Sequence, residues 1–62
     1  MLIRFKTFKD GVMHANWDEA TTLEEAAEIY QRYRARGFHV IPYDERSREY
    51  WMDDDGKLKL EP

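Results

Sequence analysis

Three consecutive aspartates, Asp53 to Asp55, are the residues of this sequence whose type and spacing most suggest chemistry. Clustered carboxylates are typical ligands of divalent cations, including the ions that assist phosphate chemistry. A calcium loop of the helix-loop-helix type needs an acid five residues before its glycine and a glutamate six residues after it. Around Gly56 those places hold Trp51 and Pro62. The sequence therefore predicts that the aspartates form a turn between two strands rather than a metal site.

The other residue types that serve catalysis or metal binding are sparse and badly spaced. His14 and His39 have no second ligand at a suitable spacing on their own elements, and a closed metal site needs about four ligands. Ser47, the one serine, lies in a predicted turn, so no nucleophilic triad is expected. The three glycines are isolated and form no phosphate-binding loop. We expect no enzyme activity, no metal and no cofactor.

Length and composition predict one small domain spanning residues 1–62. A chain of 62 residues buries only about 60% of its unfolded surface, so its two tryptophans, four tyrosines and three phenylalanines must supply much of the core. It has no cysteine and therefore no disulfide or thiolate metal site. No apolar run approaches the roughly 20 residues of a membrane span, and the first residues have no signal-peptide core. We expect a cytoplasmic protein.

Residues 2–17 predict a β-hairpin. Lys9, Asp10 and Gly11 suit a three-residue loop in which the glycine takes the left-handed conformation. That loop pairs Phe8 with Val12, and it sorts the side chains onto two faces. The apolar face would hold Ile3, Phe5, Met13, Ala15 and Trp17, and the polar face Arg4, Lys6, His14 and Asn16.

Residues 22–36 predict the one helix. Thr22 and Glu25 form a capping box, and Gly37 suits a left-handed C-terminal cap. An apolar stripe at helical spacing, with Ile29 at its border, comprises Leu23, Ala26, Ala27, Tyr30 and Tyr33. Three arginines near the end complement the helix dipole and, being two residues apart, do not share a face: Arg32, Arg34 and Arg36.

Three further strands are predicted within residues 38–44, 48–53 and 57–61. Pro42 cannot donate to a ladder, so the first of them either pairs only over Phe38–Ile41 or has a bulge at the proline. The other two form a hairpin that pairs Met52 with Leu58. The expected fold is α+β (β-β-α-β-β-β): a single antiparallel sheet of four to five strands, in the order 2-1-3-4-5, with one helix packed on one face.

One helix can cover only one face of such a sheet, and the opposite face is the candidate binding surface. We expect a partner to contact Arg4, Lys6, Phe8, His14, Asn16, Tyr43, Trp51 and Lys59. Val12 would lie beside them, and Ile41 and Tyr43 join the face if Phe38 and Val40 point inward. Tryptophan, tyrosine and arginine dominate the residues that anchor protein interfaces. An ordinary solvated face is the alternative interpretation.

The net charge of −3 is divided into blocks, with acids concentrated in residues 18–30 and 44–55. Segregated charge steers association with a partner, and the acidic total disfavours a nonspecific coat on nucleic acid. Two alternatives to protein binding remain open. One is a single-stranded nucleic-acid-binding module in which Trp51, Tyr43 or Phe8 stacks on bases. The other is a structural homodimer that closes its own sheet face or edge.

The run "ATTLEEAAEIYQRYRARGFHV", which begins at Ala20 after the first hairpin, resembles the middle of short bacteriophage proteins that bind and inhibit the host bacterial RNA polymerase. The matching positions are Thr22, Leu23, Glu25, Ala26, Glu28, Gly37, Phe38 and Val40. The resemblance implies a non-catalytic inhibitor with a hairpin, one helix and a further strand. The second hairpin, residues 48–61, departs from that pattern, and small phage inhibitors of other host systems, including anti-CRISPR proteins, match the chain equally in size and acidity.

Overall fold

A computed structural model describes all 62 residues and contains one helix and five strands. In chain order these are β1 (Ile3–Lys9), β2 (Val12–His14), α1 (Leu23–Ala35), β3 (His39–Asp44), β4 (Tyr50–Met52) and β5 (Leu58–Leu60). The α+β class and the β-β-α-β-β-β order are confirmed. The single continuous sheet is not, because β2-β1-β3 and β4-β5 form two antiparallel sheets. One bridge, between Tyr43 and Glu49, connects them.

Pro42 explains why the two sheets do not merge. The amide of Asp44 donates to the carbonyl of Arg48 at 3.0 Å, so the next bonded pair between β3 and β4 would join Pro42 to Tyr50. Proline has no N–H to donate, and the β3–β4 ladder ends there. The backbone nitrogen of Pro42 points toward β4 and away from β1, so its missing N–H does not interrupt the ladder between β1 and β3. Pro42 pairs with Phe5 there, within a regular register from Ile3 to Phe8. The prediction that β3 stops at Ile41 or has a bulge was therefore wrong.

The register of the first hairpin differs from the predicted one by a single residue. Thr7 pairs with His14 and Phe8 with Met13, which leaves a two-residue loop. Both loop residues take positive φ, +53° at Asp10 and +77° at Gly11. This slip turns β2 over, and Met13, Ala15 and Trp17, which we expected on the apolar inner side, are exposed. Ala20, rather than Trp17, lies opposite Ile3 and exchanges two backbone hydrogen bonds with it at 2.8 and 2.9 Å.

The helix begins and ends as its sequence predicts. Thr22 is the N-cap, and its hydroxyl accepts from the amide of Glu25 at 3.1 Å. The Glu25 carboxylate accepts in return from the amide of Thr21 at 2.9 Å. At the other end the amide of Phe38 reaches back to the carbonyl of Tyr33 at 3.1 Å, and the two rings pack edge to face. This pattern, with the intervening glycine at positive φ, is a Schellman cap.

α1 covers one face of the strands, here called the inner face. Buried residues alternate along β1 and β3, because successive side chains of a strand point to opposite sides. The apolar core comprises Ile3, Phe5, Ala20, Ala26, Ile29, Phe38, Val40, Tyr50 and Leu58. Ile29 is one of the buried helix residues that contact the strands. The sequence had placed it only at the border of the apolar stripe of the helix. No helix of the protein has the length and apolar character needed to cross a membrane.

The second hairpin has the predicted register. Tyr50 pairs with Leu60, Trp51 with Lys59 and Met52 with Leu58. Tyr50 and Leu58 point inward and are buried, whereas Trp51 points outward. The orientation of Trp51 therefore follows from the core contacts of its neighbours.

Candidate functional site

Asp53 serves the turn of the second hairpin. One carboxylate oxygen accepts from the amides of Asp55 and Lys57, both at 2.9 Å, and the other lies 3.3 Å from the Lys59 ammonium. The bonds from the Lys57 amide and from the neighbouring donors outweigh partial burial and lower the pKa of Asp53 below its usual value. The turn interpretation of the three aspartates is confirmed. Histidines and acids nowhere form a group of three that could hold a metal ion.

The face opposite the helix, here called the outer face, has no covering element. It consists of the side chains of β1 and β3 that point away from the helix. Across the Tyr43–Glu49 bridge, the outward side chains of β4 and β5 continue the same face. Its members are Arg4, Lys6, Phe8, His39, Ile41, Tyr43, Glu49, Trp51 and Lys59. Six of the eight residues that we expected to contact a partner lie here. Ile41 and Tyr43 were expected on this face only if Phe38 and Val40 point inward. Phe38 and Val40 are buried against the helix side, so Ile41 and Tyr43 do lie on the outer face.

Basic and aromatic groups are in contact on the outer face. Arg4 lies opposite Tyr43, and the Lys6 ammonium is 5.4 Å from the centre of the Tyr43 ring. Lys6 is also 3.7 Å from the carboxylate of Glu49, across the junction of the two sheets. Trp51 is 46% exposed and lies opposite Lys59. The two sheets therefore form one surface, although their ladders are separate.

His14 and Asn16 do not lie on the outer face, and the prediction that placed them there was wrong. Because Thr7 pairs with His14, both side chains point to the inner side, and the His14 ring packs edge to face against Phe38 at 5.4 Å. The Asn16 amide donates to the Phe5 carbonyl at 3.0 Å and to the Thr7 hydroxyl at 3.1 Å. Asn16 thereby holds the chain against β1 after β2 ends. Val12 is two residues from His14 on β2, so its side chain also points to the inner side and not to the outer face.

Trp17 is the largest exposed apolar group of the protein, with 96% of its area accessible. It borders a cavity of about 360 Å³ together with Arg4 and Tyr43, and so extends the outer face beyond the strands. The residues on either side of it are anchored, because Asn16 bonds to β1 and the Asp18 carboxylate accepts from the Tyr33 hydroxyl. Burial and this bond raise the pKa of Tyr33.

Sequence reasoning missed Trp17 because it placed the residue in a longer β2. A signal was present: asparagine and aspartate flank the tryptophan, and both favour turns over strands. A tryptophan held in a turn by its neighbours has no sheet face to point into. The structure thus places Trp17 at the border of the outer face, and it places His14 and Asn16 on the inner side.

Asp44 positions the strand that presents Trp51. Its carboxylate accepts from the amides of Arg46 and Arg48 at 2.9 and 3.0 Å, from the Arg48 guanidinium at 2.9 Å and from the Tyr50 hydroxyl at 3.1 Å. Burial alone would raise the pKa of Asp44, but these donors outweigh it and hold the pKa below its usual value. The β3–β4 loop is therefore folded around an ionised carboxylate, and β4 leaves it in a fixed direction.

Comparison of the chain with known protein families, with curated proteins and with solved structures found no match.

Proposed function

We propose that this protein is a non-catalytic protein-binding regulator that uses its outer face, extended by Trp17, to occupy a surface of a larger cytoplasmic complex. The observation that carries the proposal is the uncovered group of Trp17, Tyr43 and Trp51 beside the cations Arg4 and Lys6. Exposed tryptophans beside arginine and tyrosine are the composition of interface hot spots, and desolvating them supplies most of the binding energy.

The charges of the outer face favour a protein partner over nucleic acid. Each of its cations already has a carboxylate neighbour: Arg4 lies 2.9 Å from Glu19, Lys6 lies 3.7 Å from Glu49, and Lys59 lies 3.3 Å from Asp53. A phosphate backbone laid on this surface would meet those acids and be repelled by them. A protein surface of mixed charge can complement both signs.

The class of target follows from the resemblance of residues 20–40 to phage inhibitors of bacterial RNA polymerase. We propose a phage or mobile-element origin and inhibition of a bacterial complex, either the polymerase or a defence system such as CRISPR. The short chain and segregated charge are consistent with a competitor for one surface. The proposal assigns no catalytic residue.

Affinity capture from bacterial lysate, with mass spectrometry and quantitative binding to the recovered partner, tests this proposal. Trp17→Ala and Trp51→Ala should each weaken binding by roughly thirtyfold, the equivalent of about 2 kcal/mol, while the melting temperature stays near that of the parent. Val12→Ala is the matched control, since Val12 is exposed and apolar but lies off the outer face. Tyr50→Ala should instead destabilise the fold, because Tyr50 is buried.

Two results would contradict the proposal. The first is the absence of a stoichiometric partner. The second is a partner whose binding the two tryptophan variants leave intact. Sedimentation at two protein concentrations distinguishes a homodimer, which would occupy the same face with a second copy.

A further inference from the structure

A groove of about 870 Å³ lies between α1 and β5 and is lined by neither tryptophan of the outer face. Three apolar side chains line it: Leu23, Ala27 and Leu58. Its volume is in the range of ligand-binding clefts, and it is open to solvent rather than enclosed.

β5 presents an unpaired strand edge beside this groove. β4 and β5 form a sheet of only two strands, so β5 has a neighbour on one side alone. The Asp53 amide donates to the Lys57 carbonyl at 2.8 Å and the Glu61 amide to the Glu49 carbonyl at 2.9 Å. Because bonded residues alternate along an antiparallel strand, the backbone groups of Leu58 and Leu60 point away from β4.

Four charged side chains around the groove have no ionic partner within the protein: Glu24, Glu28, Arg32 and Lys57. The positive and the negative side chains lie at opposite ends of the groove. Gly56 lies against Gln31, so β5 starts beside the C-terminal half of α1. Lys57 and Arg32 therefore mark one end of the groove, and Glu24 and Glu28 mark the other.

We propose that this groove binds an extended peptide segment of a partner protein, which adds to β5 as an antiparallel strand. Its backbone would exchange hydrogen bonds with Leu58 and Leu60, as in other cases of strand addition. Side chains opposite these two residues would point toward Ala27 and Leu23 and should be apolar, at alternate positions. Antiparallel pairing places the C-terminal end of the peptide at Lys57, so that end should be acidic and the N-terminal end basic. The site shares Lys59 with the outer face, but neither tryptophan lines it.

The test is nuclear magnetic resonance of the whole ¹⁵N-labelled chain with the acetylated and amidated peptide Lys-Lys-Val-Thr-Val-Glu-Glu. We expect saturable shifts centred on Leu58 and Leu60, and amide exchange at these two positions slowed by about tenfold or more at saturation. The reversed peptide Glu-Glu-Val-Thr-Val-Lys-Lys has the same composition and should bind roughly fivefold more weakly. Equal affinities of the two peptides, or shifts located elsewhere, would overturn the proposal.

Two variants separate loss of the site from loss of the fold. Leu60→Pro removes the outward amide without removing a β4–β5 hydrogen bond, and it should abolish binding. The double variant Glu28→Lys, Arg32→Glu exchanges two exposed charges of the groove, leaves one charge of each sign at each end, and should abolish the preference between the two peptides. An unchanged preference would overturn the proposal even if Leu60→Pro fails to fold. Concentration-dependent shifts of Leu58 and Leu60 without peptide would show that a second copy occupies the edge instead, and would also overturn it.

Discussion

The two β-hairpins of this protein carry nearly the same turn residues and fold them differently. The first has Lys9, Asp10 and Gly11 where the second has Asp54, Asp55 and Gly56. In the first, Lys9 still belongs to the strand, and both Asp10 and Gly11 take positive φ. In the second, all three residues form the loop and only the glycine has positive φ.

The residue before the loop accounts for the difference. Asp53 precedes the second loop, and its carboxylate accepts from the amide of Asp55 in the loop and from that of Lys57 just after it, which stabilises the wider three-residue turn. Phe8 occupies the equivalent place in the first hairpin and has no acceptor to offer. The Asp-Gly pair there adopts the two-residue turn whose twist matches that of the strands. A turn motif should therefore be interpreted together with the residue that precedes it.

The hairpins also differ in how strongly the core holds their register. The three residues of β2 are all exposed, whereas β4 and β5 each contribute a buried residue, Tyr50 and Leu58. A one-residue slip in the second hairpin would turn one of its strands over and expose that strand's buried side chain. In the first hairpin the same slip removes nothing from the core on the β2 side, so local turn geometry decides.

The largest expected contrast is between the losses of stability caused by truncating one side chain in each hairpin. Leu58→Ala removes a buried side chain of the second hairpin and should lower the free energy of unfolding by about 2–5 kcal/mol. Met13→Ala, in the exposed strand of the first, should change it by no more than about 0.5 kcal/mol. Urea denaturation of both variants measures the difference. Similar losses would show that β2 contributes to the core after all.

The loop glycines should give a smaller contrast. Gly11→Ala places a Cβ in open space at positive φ and should cost about 1–2 kcal/mol from backbone strain alone. Gly56→Ala carries the same strain, and its Cβ would also lie 3.1 Å from the Gln31 side-chain nitrogen, so it should cost more. Adding Gln31→Ala should bring the Gly56→Ala loss down to that of Gly11→Ala. Denaturation midpoints of the three variants decide whether this contact exists.

Acid should weaken the second hairpin through Asp53. Because folding lowers the pKa of Asp53, its contribution to stability is present above the unfolded value of about 4 and is lost as the pH falls through the folded pKa. Asp53→Asn should therefore reduce the fall in melting temperature between neutral and acid pH. Asp10→Asn, at an exposed turn aspartate of the first hairpin, is the matched control, and its effect on that fall should be smaller than that of Asp53→Asn. Equal pH profiles for parent and Asp53→Asn would contradict the assigned role.

The last contrast is one of structure rather than of stability, and it is expected from Phe8→Asp. It supplies the first loop with the acceptor that the second has, and should convert the two-residue turn to a three-residue turn. Thr7 would then pair with Met13 instead of His14, which cross-strand nuclear Overhauser effects report directly. Phe8→Ala should keep the present register. If Phe8→Asp also keeps it, the preceding residue does not select the turn.

Local signals predicted the helix and the second hairpin because each depends on neighbours in sequence. Thr22, Glu25 and Gly37 set the ends of α1 through hydrogen bonds within a few residues. The split of the sheet could also have been predicted, since it follows from the missing N–H of Pro42 once the pairing partner is known. What sequence reasoning lacked was the side of β3 on which that nitrogen lies.

The candidate surface was predicted in part, and the errors have one cause. Outward positions in β1, β3, β4 and β5 were assigned correctly wherever a buried neighbour fixed the alternation. His14, Asn16 and Trp17 were misplaced because the register of β2 was taken from its loop residues and from the sorting of apolar side chains onto one face, whereas the apolar residues Met13 and Trp17 are in fact exposed. Exposed strands give no burial signal with which to correct such an error.

The sequence by itself determined the α+β class, the bounds of the helix, the turn role of the three aspartates and the outward direction of Trp51, because capping bonds, turn residues and alternating burial act over short distances. Only the tertiary structure decided that Ala20 pairs with Ile3, that Trp17 projects beside Arg4 and Tyr43, and that a groove separates α1 from β5. These features depend on where elements distant in sequence meet, and competing pairings of similar local quality are separated only when the whole core is packed.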